Sequence, residues 1–126
     1  MAVTYQINHA QQRVYTRCVG EVRLEQVLEH FAILSADPDC PEWLDVLLDL
    51  SDMNTLPTSA ELNRVSTEIA RVLPRVRFRY CAIIATSEAL FGMSRMFEVF
   101  SEKYFAATRV FRSAEEGLTW LDSSAR

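Results

Sequence analysis

Residues 44–50 read LDVLLDL, a short run dense in Leu and Val with a pattern of helical period on either side. A run so short and apolar suits a strand covered on both faces better than an exposed edge. Strands that alternate with helices join a sheet through right-handed crossovers, so the sheet must be mainly parallel. The polar exit NTLPTS that follows leads into the next helix, and it makes 44–59 the natural place to look for a functional loop.

The rest of the chain fits around that strand. Val3, Tyr5 and Ile7 alternate with polar residues, the period of a half-buried strand. After a polar turn at 8–12, a second β-rich run (Val14, Tyr15, Thr16, Cys18, Val19) ends at Gly20, so the pair predicts an antiparallel hairpin. Leu24, Val27, Leu28, Phe31 and Leu34 recur at helical steps and should stop before Asp37-Pro38, since the residue before a proline is pushed out of the α region. Thr58 and Glu61 form a capping box ahead of the stripe Leu62, Val65, Ile69, Val72, Leu73, which ends at Pro74. Residues 78–85 (FRYCAIIA) predict another buried strand. Ser87 is the expected N-cap of a helix over 87–104, with Leu90, Met93, Phe97, Phe100 and Tyr104 facing the core. Val110 and Phe111 form a short strand, and Ser113 and Glu116 a second capping box before Leu118, Trp120 and Leu121. The order is ββαβαβαβα: an α/β fold in one domain over 1–126, with a mixed, mostly parallel sheet.

Composition narrows the function. A net charge of -4 argues against a nucleic-acid binder, whose footprint is normally basic. No basic stretch followed by an apolar one marks a signal peptide, and no apolar run is long enough to span a bilayer, so a soluble cytoplasmic protein is expected. The three cysteines, Cys18, Cys40 and Cys81, lie far apart without a CxxC, which argues against a disulfide framework or zinc site and for a reducing compartment. With glycine only at positions 20, 92 and 117, there is no phosphate-cradling loop, and no GxSxG elbow is present. His9 and His30 have no partner at metal-ligand spacing, and His30 reads as a surface helix residue. The chain is expected to be non-enzymatic and without cofactor or metal; Asp49 or His30 would have to serve any hydrolase.

Three groups of residues are candidates for function. Asp45, Asp49 and Asp52 are expected around the end of the central strand. Asp49 there either meets a ligand or braces the loop through backbone hydrogen bonds. Arg71, Arg75, Arg77 and Arg79 either receive an anionic partner or form a solvated edge. The helix over 87–104 carries Phe91, Met96, Val99 and Phe105 besides its core stripe, an arc wider than one packing face needs. That arc fits a helix buried on two sides, a homodimer face, or a groove for an apolar ligand with Met93 and Arg95 beside it.

The element order, the DLSDM extension of the central strand, the segment FGMSRM at 91–96 and the ending RVFRSAEEGLTWL at 109–121 resemble the STAS domain of anti-sigma-factor antagonists, the SpoIIAA-like fold. The likeness is nearer to a bacterial stand-alone branch related to lipid carriers. The resemblance implies a regulatory or protein-interaction module, acting on a protein partner or on itself as a homodimer. It also implies, as the alternative, a carrier or sensor of a small apolar or lipid-like ligand. The family's switch serine, in a D-S-S-G segment after the central strand, falls on Ser59 within Pro57-Thr58-Ser59-Ala60; Pro57 replaces the acid and Ala60 the glycine. The implied switch loop comprises Asp49, Ser51, Thr58 and Ser59. The implied ligand or contact surface comprises Phe91, Met93, Arg95, Met96, Val99 and Phe105.

Overall fold

The computed structural model describes residues 2–72 and 76–124, without the side chain of Val72. Its elements are β1 (Val3–Asn8), β2 (Arg13–Gly20), α1 (Leu24–Ala36), β3 (Trp43–Met53), α2 (Ser59–Val72), β4 (Arg77–Ile84), α3 (Glu88–Ser101), β5 (Ala107–Phe111) and α4 (Ala114–Ser124). The strands lie side by side in chain order, β1-β2-β3-β4-β5, with β3 at the centre. β1 and β2 form the antiparallel hairpin, pairing Val3 with Cys18, Tyr5 with Thr16 and Ile7 with Val14. All other pairings are parallel.

Because each crossover advances one strand in the same direction, right-handed connections place α1, α2 and α3 on one face of the sheet. α1 packs on α2 and α2 on α3, while α4 packs on the other face against β3, β4 and β5. Inward residues therefore alternate between two cores. Val14, Cys18, Leu50, Cys81 and Ile83 face the three helices, whereas Leu47, Ala82 and Ile84 face Leu121 of α4. α4 lies so close to the sheet that a Cβ on Gly117 would stand 2.6 Å from Cδ1 of Ile84, which is why glycine occupies that turn.

Local signals set most helix ends. The hydroxyl of Thr58 accepts from the Glu61 N–H (3.1 Å), and the Glu61 carboxylate accepts from the Thr58 N–H (2.9 Å), completing the capping box of α2. Ser87 Oγ accepts from the Leu90 N–H at the start of α3 (3.2 Å). α1 stops where Asp37-Pro38 requires. Two elements differ from the sequence expectation. β3 runs on beyond Leu50 to Met53, because past a bulge between Arg17 and Val19 the end of β2 still pairs with Asp52 and Met53. α3 ends at Ser101 rather than 104: the Tyr104 N–H bonds back to the Ser101 carbonyl, and Ala106 already bonds to Arg79 at the foot of β5.

The acids of β3 also separate. Asp45 is wholly buried near the amino end of the strand, where its carboxylate accepts from Arg79 Nε (2.9 Å) and Nη2 (2.8 Å) and from the Tyr80 N–H (3.2 Å). It is a structural anchor, not part of a cluster at the strand's end. The arginine run divides as well. Arg71 pairs with Glu68, Arg77 is exposed, Arg79 is committed to Asp45, and Arg75 lies outside the described residues.

Candidate functional site

Val14, Thr16 and Cys18 of β2, Val46, Leu48 and Leu50 of β3, and Cys81 and Ile83 of β4 form the floor of a cavity of about 530 Å³ beneath α1, α2 and α3. His30 and Phe31 of α1, Val65 of α2, and Met93 and Phe97 of α3 contribute to its roof. Voids in native cores seldom exceed a water molecule. At roughly 24 cal/mol per Å³, a closed and empty space of this size would cost on the order of 10 kcal/mol, comparable to a domain's whole stability. The space belongs instead to the size class of small-molecule pockets, roughly 300–1,000 Å³.

The exposed members of the lining mark the mouth: Arg23 and Glu25 at the start of α1, and Leu56 in the β3–α2 loop. The mouth thus opens beyond the carboxyl ends of β2 and β3, where open α/β sheets hold their ligands. Its two rims are tied together. Thr55 Oγ1 accepts from the Val22 N–H (3.1 Å) and donates to the Val22 carbonyl (3.2 Å), while the Asn54 N–H donates to the Gly20 carbonyl (3.0 Å). Gly20 turns the chain out of β2 with φ +71°, a conformation glycine adopts without the Cβ penalty.

Few polar groups reach the interior. His30 is not a surface residue: α1 lies over the hairpin, so its buried arc is wider than the apolar stripe. The imidazole stands edge-on to Tyr5 (5.3 Å between ring centres) and 5.4 Å from the Phe31 ring. Burial pushes its pKa down to about 4, which keeps it neutral near pH 7. Burial likewise raises Cys18 to about 11 and Cys81 to about 12, so both thiols stay protonated and act as small apolar wall residues. Tyr5, raised to about 12 by burial and by its hydrogen bond to Asp37 (2.6 Å), remains a phenol.

The residues anticipated from the sequence fall in different places. Asp49 pairs in register with Arg17, and with Leu48 and Leu50 facing the cavity it projects from the opposite face of the sheet. Its Oδ1 accepts from the Ser51 N–H (2.9 Å) and hydroxyl (2.6 Å), so it braces the strand's extension. Thr58 and the exposed Ser59 sit at the start of α2, apart from Asp49 and Ser51. Met93 and Phe105 line the cavity. Phe91 packs against the core and under the Arg112 guanidinium (4.2 Å). Arg95 is exposed beside Glu98 (3.5 Å), away from the cavity, and Met96 and Val99 also face outward. The apolar space therefore lies on the inner side of α3, where Arg95 cannot meet a head group. Sequence reasoning pointed to the loop that holds Thr55 but missed Thr16, Cys18 and His30 as lining residues; the Val14-Thr16-Cys18 alternation marked a common face but not what stands above it.

His30 and Asp49 lie on opposite sides of the sheet and form no pair. Among the described residues no three His, Cys, Asp or Glu side chains converge as metal ligands, and no helix is long and apolar enough to cross a membrane.

The fold and its cavity define a mixed α/β domain of SpoIIAA-like architecture. The chain is similar to the crystal structure of an uncharacterized DUF3478-family protein with a SpoIIAA-like fold from Shewanella loihica PV-4. The two share 18% sequence identity over 95% of this chain and 92% of that one, with a TM-score of 0.61. No family model matches the sequence, and no curated protein matches it.

Proposed function

We propose that this domain binds a small apolar or lipid-like molecule in the cavity beneath α1, α2 and α3, as a carrier or sensor. The observation that carries this reading is the cavity itself: about 530 Å³, walled by aliphatic, aromatic and thiol side chains, and open at the carboxyl ends of the strands. Titration with the apolar dye Nile red tests it. The expected result is saturable one-to-one binding that 1-decanol displaces, weakened in Val65→Trp, whose indole occupies part of the space. Absence of saturable binding by the folded wild-type protein overturns the reading, as does undiminished binding by a folded Val65→Trp.

A non-enzymatic regulatory or protein-interaction role is a second reading, supported by the outer face of α3. Val99 is 65% and Met96 39% exposed there, one helical turn apart. A second copy of the chain or another protein would cover them. Size-exclusion chromatography with light scattering checks the homodimer: Val99→Glu should shift a dimer to monomer, and a wild-type monomer at every concentration removes self-association.

A further inference from the structure

Thr16 stands at the centre of β2, 3% exposed, among the residues that line the cavity, and its buried hydroxyl has no hydrogen-bond partner in the protein. A buried hydroxyl without a partner is unfavourable, and Val would fill the same place on a strand with no such penalty. Tyr5 is the cross-strand neighbour of Thr16 and also the ring against which His30 stands. The Tyr5 hydroxyl is committed to Asp37. Thr16 and His30 therefore both neighbour Tyr5 and bring uncharged hydrogen-bonding groups to the hairpin side of a largely apolar space.

Resting on the reading of the cavity as a ligand site, we propose that Thr16, with His30, anchors the head of a single-chain amphiphile whose polar group is uncharged, such as an alcohol or amide. A threonine hydroxyl and a neutral imidazole each donate one hydrogen bond and accept another, which matches a head that does both. An ionised carboxylate or phosphate fits poorly. Among the described residues that line the cavity, the only cation is Arg23 at the mouth, and the lining also includes the acids Glu25 and Glu61. An anion drawn inward would lose its hydration without meeting a positive charge.

Displacement of Nile red by 1-decanol and by decanoate, at about pH 8 where the acid is ionised, tests the assignment in wild type and in Thr16→Val. Wild type should prefer 1-decanol. Thr16→Val should weaken 1-decanol about tenfold while leaving decanoate and Nile red nearly unchanged, the effect of removing one hydrogen bond. The variant should also unfold at an equal or higher denaturant concentration, because it removes an unsatisfied buried hydroxyl. Tighter binding of decanoate than of 1-decanol, or an unchanged 1-decanol to decanoate ratio in Thr16→Val, overturns the anchor while the cavity reading stands. Failure of wild type to bind Nile red overturns both.

Discussion

Thr55 holds Val22 by both of its backbone polar groups, accepting from the N–H and donating to the carbonyl through one hydroxyl. The pair joins the β3–α2 loop to the segment that opens α1, across the mouth of the cavity. Thr55→Val keeps the side-chain shape and removes both bonds. The expected loss is about 1–2 kcal/mol, with faster amide hydrogen exchange at Val22 and faster release of a bound apolar probe. Unchanged exchange at Val22 would show that the rims are held by other contacts.

Asp45 and Arg79 form a bidentate polar anchor of the sheet. Asp45 is completely buried, whereas the Arg79 side chain keeps 31% of its surface exposed and lies 4.1 Å over the Trp43 ring. Removing the cation strands a buried carboxylate, so Arg79→Met should cost about 3 kcal/mol or more by denaturant unfolding. The double variant Asp45→Asn/Arg79→Met should be more stable than Arg79→Met alone. Simple additivity of the two single losses would mean the pair is not coupled.

The neutral imidazole of His30 links stability to pH. Its folded pKa of about 4 lies below the ordinary value of 6.5, so between these values the unfolded chain binds the extra proton. Stability is therefore fully present above about pH 6.5 and falls as the pH drops toward 4. From one such group the loss between about pH 7 and pH 5 is roughly 2 kcal/mol. His30→Gln should flatten this part of the profile in paired denaturant titrations; a wild-type slope retained in the variant would assign it to other groups.

The legible parts of this chain were the local ones. The box at Thr58–Glu61 and the cap at Ser87 act within one helical turn, and the alternation of strand and helix patterns carries the sheet's direction. Asp45 shows where such reading stops. A bulge between Leu44 and Val46 lets its carboxylate reach a β4 backbone N–H and Arg79, and no periodicity in residues 44–50 reveals a bulge or a partner 34 positions away. The cavity is less legible still. Met93 was visible in the core stripe and Phe105 as a surplus apolar residue beside it, yet the space they line depends on how far three helices stand from the sheet. His30, off the apolar stripe of α1, becomes half-buried because Tyr5 of β1 lies against it.

Methyl-resolved NMR during titration with 1-decanol tests the cavity most directly. The account predicts saturable shifts, with intermolecular contacts, at methyl groups of Leu48, Val65 and Ile83, while those of Leu118 and Leu121 of α4 stay unperturbed. Shifts confined to Leu118 and Leu121, or to the exposed Met96 and Val99, would contradict it.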